Sequence, residues 1–176
     1  VAEGVIVSAG GIVPVYADGM IFVPIANGLQ AFNATPRPQT EEDVGYTNKD
    51  VMVLDSLWVY RDPIGGAGTT PFYVKDGYIY GGWQQVRNNG AFVCLSITDE
   101  DPTKTHEEKQ PTWRWVRGTG FYWAGAHVDE KFVVVGGEMS GDDDLTCLDA
   151  KTGRVLDSIP YLFTVENRGS VSYAED

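Results

Sequence analysis

Thr70-Pro71-Phe72-Tyr73-Val74-Lys75-Asp76-Gly77-Tyr78-Ile79-Tyr80 carries the signal that decides the fold. Apolar, aromatic and β-branched residues lie on both sides of an Asp-Gly pair. A two-residue Asp-Gly loop between such runs is a strong hairpin signal, because Gly supplies the positive φ that a tight turn requires. The segment therefore reads as strand, turn, strand. Toward the N-terminus, Ile12 to Val23 repeats the pattern about Asp18-Gly19. Toward the C-terminus, Ala124 to Val135 is a third copy, with Asp129-Glu130 at the turn, so that this turn must differ in type. Ser170 to Asp176 reads as the opening of a fourth copy. The aspartates that mark the turns, Asp18, Asp76, Asp129 and Asp176, are spaced by 58, 53 and 47 residues.

Each copy continues in the same way. A second turn (Asn27-Gly28, Asn88-Asn89-Gly90, Ser140 to Asp144) leads into a third strand: Leu29 to Phe32, Ala91 to Leu95, Leu145 to Leu148. A fourth apolar segment closes the unit: Leu57 to Tyr60, Trp113 to Val116, Val155 to Ile159. Four short antiparallel strands about every 50 residues are the signature of a β-propeller blade. A single blade cannot bury both faces, and stacking against neighbours does so. The chain is thus read as all-β, with four-stranded antiparallel blades at about 12–61, 69–117 and 121–160 and the start of a fourth at 168–176. Insertions at 33–52 and 98–112 both join a third strand to a fourth, so they are expected to decorate one rim or outer edge.

The third unit has the short form of that connection, Leu145-Thr146-Cys147-Leu148-Asp149-Ala150-Lys151-Thr152-Gly153-Arg154-Val155. This segment resembles the repeat of quinoprotein-like (PQQ-like) β-propellers. Leu29 to Thr35 looks like a degraded copy. Trp58, and Trp113 or Trp115, stand where that family's fourth-strand Trp would be. The resemblance implies rings of about seven or eight blades. Three and a fraction would leave an apolar face open at each end, which is unfavourable in water. Together with a start at Val1, this leads to the expectation of a piece of a longer or processed protein, or of self-association through open blade edges. The resemblance also implies a secreted or cell-surface bacterial protein.

Charge narrows the partners. The 176 residues carry 25 acidic and 13 basic side chains, a net charge of −12. Nucleic acid and anionic membrane surfaces both select clustered positive charge, so neither is expected as a partner. The longest apolar runs are a few residues, far short of the ~20 that span a bilayer as a helix, and no membrane insertion is expected.

Catalytic signals are sparse. Quinoprotein dehydrogenases use vicinal cysteines and a calcium ion, whereas Cys94 and Cys147 stand one repeat apart at positions matched by Ala31. They read as buried free thiols selected for size. The carboxylates Glu138 and Asp142 to Asp144 lack calcium-loop spacing and read as a solvated hairpin tip. His106 lies in a charged insertion. No nucleophile elbow, P-loop or His-x-x-x-His pair is present. No catalytic residue, metal site or cofactor is therefore assigned. The ligand-binding candidates are Tyr122 and Trp123 ahead of the third unit, Trp83 in the second, and His127 in the third unit's first strand. Aromatic faces beside polar groups suit peptides or sugars. The function expected is a non-catalytic binding or scaffold module for a protein or glycan partner. The alternatives are part of a quinone-dependent oxidoreductase and a carbohydrate-binding propeller.

Overall fold

The computed structural model describes residues 13–25, 27–64, 68–85, 89–104, 107–117, 126–136 and 145–159. Among them, strands form and no helix does. In chain order the strands are β1 (Val15–Ala17), β2 (Met20–Ile25), β3 (Gly28–Asn33), β4 (Ser56–Arg61) and β5 (Gly68–Thr69). Next come β6 (Tyr73–Lys75), β7 (Tyr78–Gln85), β8 (Asn89–Ser96), β9 (Glu107–Glu108) and β10 (Trp113–Arg117). The last four are β11 (Ala126–Val128), β12 (Phe132–Gly136), β13 (Leu145–Asp149) and β14 (Val155–Ile159). They make three sheets: β1-β2-β3-β4-β9, then β5 and β6 on β7-β8-β10, then β11-β12-β13-β14. Residues 168–176, expected to open a fourth unit, lie outside the described residues.

Turn chemistry explains the hairpins. Asp18 and Gly19 have φ of 49° and 76°, and Asp76 and Gly77 of 49° and 78°. Positive φ at both central residues is the two-residue loop whose twist matches the flanking strands. In the third sheet the loop is Glu130-Lys131, one residue later than expected. Asp129 closes it, its N–H donating to the Phe132 carbonyl (2.9 Å) while its Oδ1 accepts from the Lys131 N–H (3.2 Å). A second correction concerns Gly28. It pairs with Ile25 inside β3 and is not a turn residue. The Tyr60 carbonyl of β4 fills the space a Cβ would need there, which is why the strand begins on Gly.

Period-two alternation divides the middle sheet between its neighbours. Ile79, Trp83, Val93 and Leu95 pack with Phe22, Leu29, Ala31, Trp58 and Tyr60 of the first sheet. Tyr80, Phe92, Cys94 and Trp113 pack with Ala126, Val133, Val135 and Leu148 of the third. Register makes Phe22–Ala31, Tyr80–Cys94 and Val134–Cys147 equivalent pairs, and the two cysteines are free thiols. Cys94 is buried. Cys147 is only half-buried, against the expectation, because its face of the third sheet looks away from the other two.

The sheets are latched by tryptophan. Trp58 Nε1–H donates to the Ile97 carbonyl (3.3 Å), just past the second sheet's third strand. Trp113 Nε1–H donates to the Ala150 carbonyl (2.8 Å), just past the third sheet's third strand. Each receiving turn is fixed by its own hairpin, through Ile97 N–H to the Gly77 carbonyl and Ala150 N–H to the Lys131 carbonyl, both 3.0 Å. Gly153 lies on the Trp113 ring, where a Cβ would come within 2.6 Å of its Cε3, and its φ of +68° also selects Gly. Over Trp58 the corresponding cover is Lys109, whose Nζ lies 5.3 Å from the ring centroid. Its ammonium donates to the Thr98 carbonyl and to Glu100 Oε1 (3.0 Å). The 98–112 insertion is therefore more than rim decoration: β9 crosses to the first sheet and pairs parallel with Trp58 and Val59.

Candidate functional site: a polar cleft between two sheets

A cleft of about 590 Å³ opens between the second and third sheets. Small-molecule sites span about 300–1,000 Å³, so the size is adequate for a ligand. Three turns make its mouth. Asp76 comes from the β6–β7 hairpin, Asp129, Glu130 and Lys131 from the β11–β12 hairpin, and Lys151 from the turn after β13. Tyr78 and Tyr80 of β7 form a wall, and Cys94 of β8, Thr112 and Ala150 line it further.

Local chemistry fixes each piece. The Lys151 turn is held by Asp149, whose Oδ1 accepts from the N–H of Lys151 (3.1 Å) and of Thr152 (2.8 Å) and from the Thr152 hydroxyl (2.8 Å). Those bonds, the Thr152 hydroxyl first, hold the Asp149 carboxyl below its ordinary pKa. Tyr80 is steadied by the Trp113 ring, 6.1 Å between centroids. Burial pushes the Cys94 thiol up to about 12, although hydrogen bonds with Tyr80 and Thr112 pull the other way. Burial likewise raises the Tyr80 phenol. At neutral pH the cleft presents a protonated thiol and a protonated phenol, hydrogen-bonding groups rather than nucleophiles.

The equivalent place at the first junction is different. Register and chain order set Met20 against Tyr78, Phe22 against Tyr80, Ala31 against Cys94 and Leu57 against Thr112. Met20 and Leu57 pack onto the apolar core between the first two sheets. The same blade geometry thus carries apolar side chains at these positions in one junction and polar ones around a cleft in the next.

Of the residues singled out from sequence, the two that are described, Trp83 and His127, do not line this cleft. Trp83 is fully buried between the first and second sheets, its Nε1–H donating to the Gly28 carbonyl (3.1 Å) and its ring against Tyr60 and Phe72. It has no open face for a ligand, because inter-sheet packing takes the whole indole. His127 pairs with Val134 on the face of β11 opposite Ala126 and Val128, which pack toward the second sheet. Its ring lies 6.0 Å from that of Phe132. Tyr122 and Trp123 lie outside the described residues, as do His106, Glu138 and Asp142 to Asp144. Sequence reasoning missed Tyr78, Tyr80 and Thr112. The available signal was the change of character at repeat-equivalent positions, Met20 to Tyr78 and Leu57 to Thr112.

Antiparallel four-stranded units stacked face to face and latched in series define a β-propeller protein. Among solved structures the chain is similar to BamB from Moraxella catarrhalis, with a TM-score of 0.51 and 15% identity. The match covers 89% of this chain and 38% of that one, so the chain spans well under half the length of this neighbour. At that identity the likeness is one of fold. No family model matches the chain, and no curated protein matches it in sequence.

Proposed function

We propose that the chain is a non-catalytic binding module, a segment of a secreted or cell-surface quinoprotein-like propeller that engages a protein partner through the 33–52 insertion. The observation that carries this reading is a loop cross-braced by hydrogen bonds that shows apolar side chains to solvent. Val44, Val51 and Met52 are 80%, 41% and 49% exposed. They are not on a slack loop. Arg37 Nη1 and Nη2 hold Asp43 (2.7 and 3.1 Å), and its Nε holds Asp55 (2.7 Å). Gln39 Nε2 donates to the carbonyls of Asn48 (2.8 Å) and Val51 (2.7 Å), and Arg37 and Val53 exchange backbone bonds (2.9 Å). A pre-ordered loop loses less entropy on binding than a mobile one. Rigid frames with loops at their rims are a common platform for recognition.

A photo-reactive residue at Val44, in the chain expressed in its source cells, tests this. Discrete protein adducts are expected, with a lower yield when Arg37→Ala removes the clamp. A folded protein that gives no adduct at Val44 would overturn the reading.

A further inference from the structure

We propose that the cleft between the second and third sheets binds a small neutral saccharide of one or two rings. The site is separate from the 33–52 insertion, and its ligand is of a different class from the partner argued above.

The repeat supplies an internal control. Two junctions share one backbone plan, yet Met20 and Leu57 pack half-buried onto the apolar core of the first, while Tyr78 and Thr112 line a cleft of about 590 Å³ at the second. The half-buried Met20 and Leu57 are matched here by side chains that stay exposed, Tyr78 at 38% and Thr112. The second junction thus keeps an accessible tyrosine ring and hydroxyl beside the cleft, surface that a ligand can cover.

The lining selects the class. The mouth holds three carboxylates (Asp76, Asp129, Glu130) against two ammoniums (Lys131, Lys151), on a chain of net charge −12, which disfavours an anion. A wholly apolar ligand would strip water from those five charged groups and return no hydrogen bonds. A neutral ligand with many donors and acceptors satisfies both signs at once: its hydroxyls donate to the carboxylates and accept from the ammoniums. The wall adds a second requirement. Tyr78, 38% exposed, offers an apolar ring with a polar tip, while Tyr80 lies buried against Trp113 behind it; a pyranose, apolar on its C–H face and polar at its edge, matches Tyr78. The hydroxyl of Thr112 and the protonated thiol of Cys94 lie beside that wall.

The test is titration of the folded chain with glucose, galactose, N-acetylglucosamine, maltose and cellobiose, followed by amide chemical shifts. At least one sugar is expected to bind and to shift the amides of Gly77, Lys131 and Lys151. The double variant Tyr78→Met/Thr112→Leu, which copies the first junction, should weaken that binding tenfold or more without lowering Tm. Trp123→Ala should leave it unchanged. Should the double variant fail to fold, Tyr78→Ala alone provides the same comparison. The proposal is overturned if none of the five sugars binds, if the shifts map away from the cleft, or if Trp123→Ala rather than the Tyr78 variants abolishes binding.

Discussion

Asp62 shows how much one residue contributes at a sheet junction. Its side chain is fully shielded from solvent, while that of its partner Arg114 is one quarter exposed. Arg114 Nε and Nη2 donate to it at 2.8 and 2.9 Å, joining the first sheet's fourth strand to the second's. The Tyr60 hydroxyl and the Ile64 N–H, both at 2.8 Å, complete its shell. Burial opposes ionisation of Asp62, but these donors, Arg114 first, outweigh it and hold the carboxyl below its ordinary value of 3.8. The sign follows. A carboxyl whose folded pKa is depressed adds stability that is full above the unfolded pKa and is lost as pH falls through the folded one. Asp62→Asn keeps the size and loses the charge, leaving a partly buried guanidinium short of a partner. A loss of about 2–4 kcal/mol at pH 7 is expected. Urea unfolding from pH 7 down to pH 2.5 checks it. The gap between wild type and variant should shrink below about pH 4, and a gap that stays constant would count against the linkage.

At the scale of elements, the hairpins were legible in the sequence because their causes are local. The Asp-Gly pairs at 18–19 and 76–77 dictate their turns, and the fourth strands around Trp58 and Trp113 follow from spacing. What stayed hidden depends on contacts between repeats. β9 pairs in parallel with a strand some 50 residues earlier, and nothing in Glu107-Glu108 announces it. The cleft was hidden for the same reason, since its walls come from two sheets and its character shows only when repeat positions are superposed. The strap formed by β9 and Lys109 replaces the compact Asp149–Arg154 turn of the third sheet with a longer route to the same end, a cover for the latch tryptophan. The Lys109 side chain is almost wholly buried, and its amide donates to the Val59 carbonyl at 2.7 Å. Lys109→Ala removes the ammonium from Trp58, from Glu100 and from the Thr98 carbonyl together. Hydrogen exchange at residue 109 should then speed up tenfold or more, with the amides of β7 and β8 little changed. Unaltered protection at residue 109 would mean that β9 is held by its backbone bonds alone.

At the scale of the molecule, the latch runs in series among the described residues from the first sheet to the third. Trp58 docks on the second sheet and Trp113 on the third, but the register-equivalent residue of the third sheet is Asp157, opposite Cys147. The face around it is correspondingly open. Ile159 is 50% exposed, where its equivalent in the first sheet, Tyr60, is 3% exposed. Leu145 and Cys147 are half-buried where Leu29 and Ala31 are buried. Stability in stacked repeats is a sum of intrinsic and neighbour terms, so a unit with one packed face is held less firmly than one with two. The middle sheet, packed on both faces, should be the most protected. Native-state hydrogen exchange is therefore expected to give lower opening free energies for β13 and β14 than for β7 and β8. In the Trp113→Phe variant, which keeps a ring but loses the bond to the Ala150 carbonyl, that gap should widen by about 1 kcal/mol. Equal protection in the second and third sheets would refute this account, for it would mean that the outward face of the third sheet costs nothing.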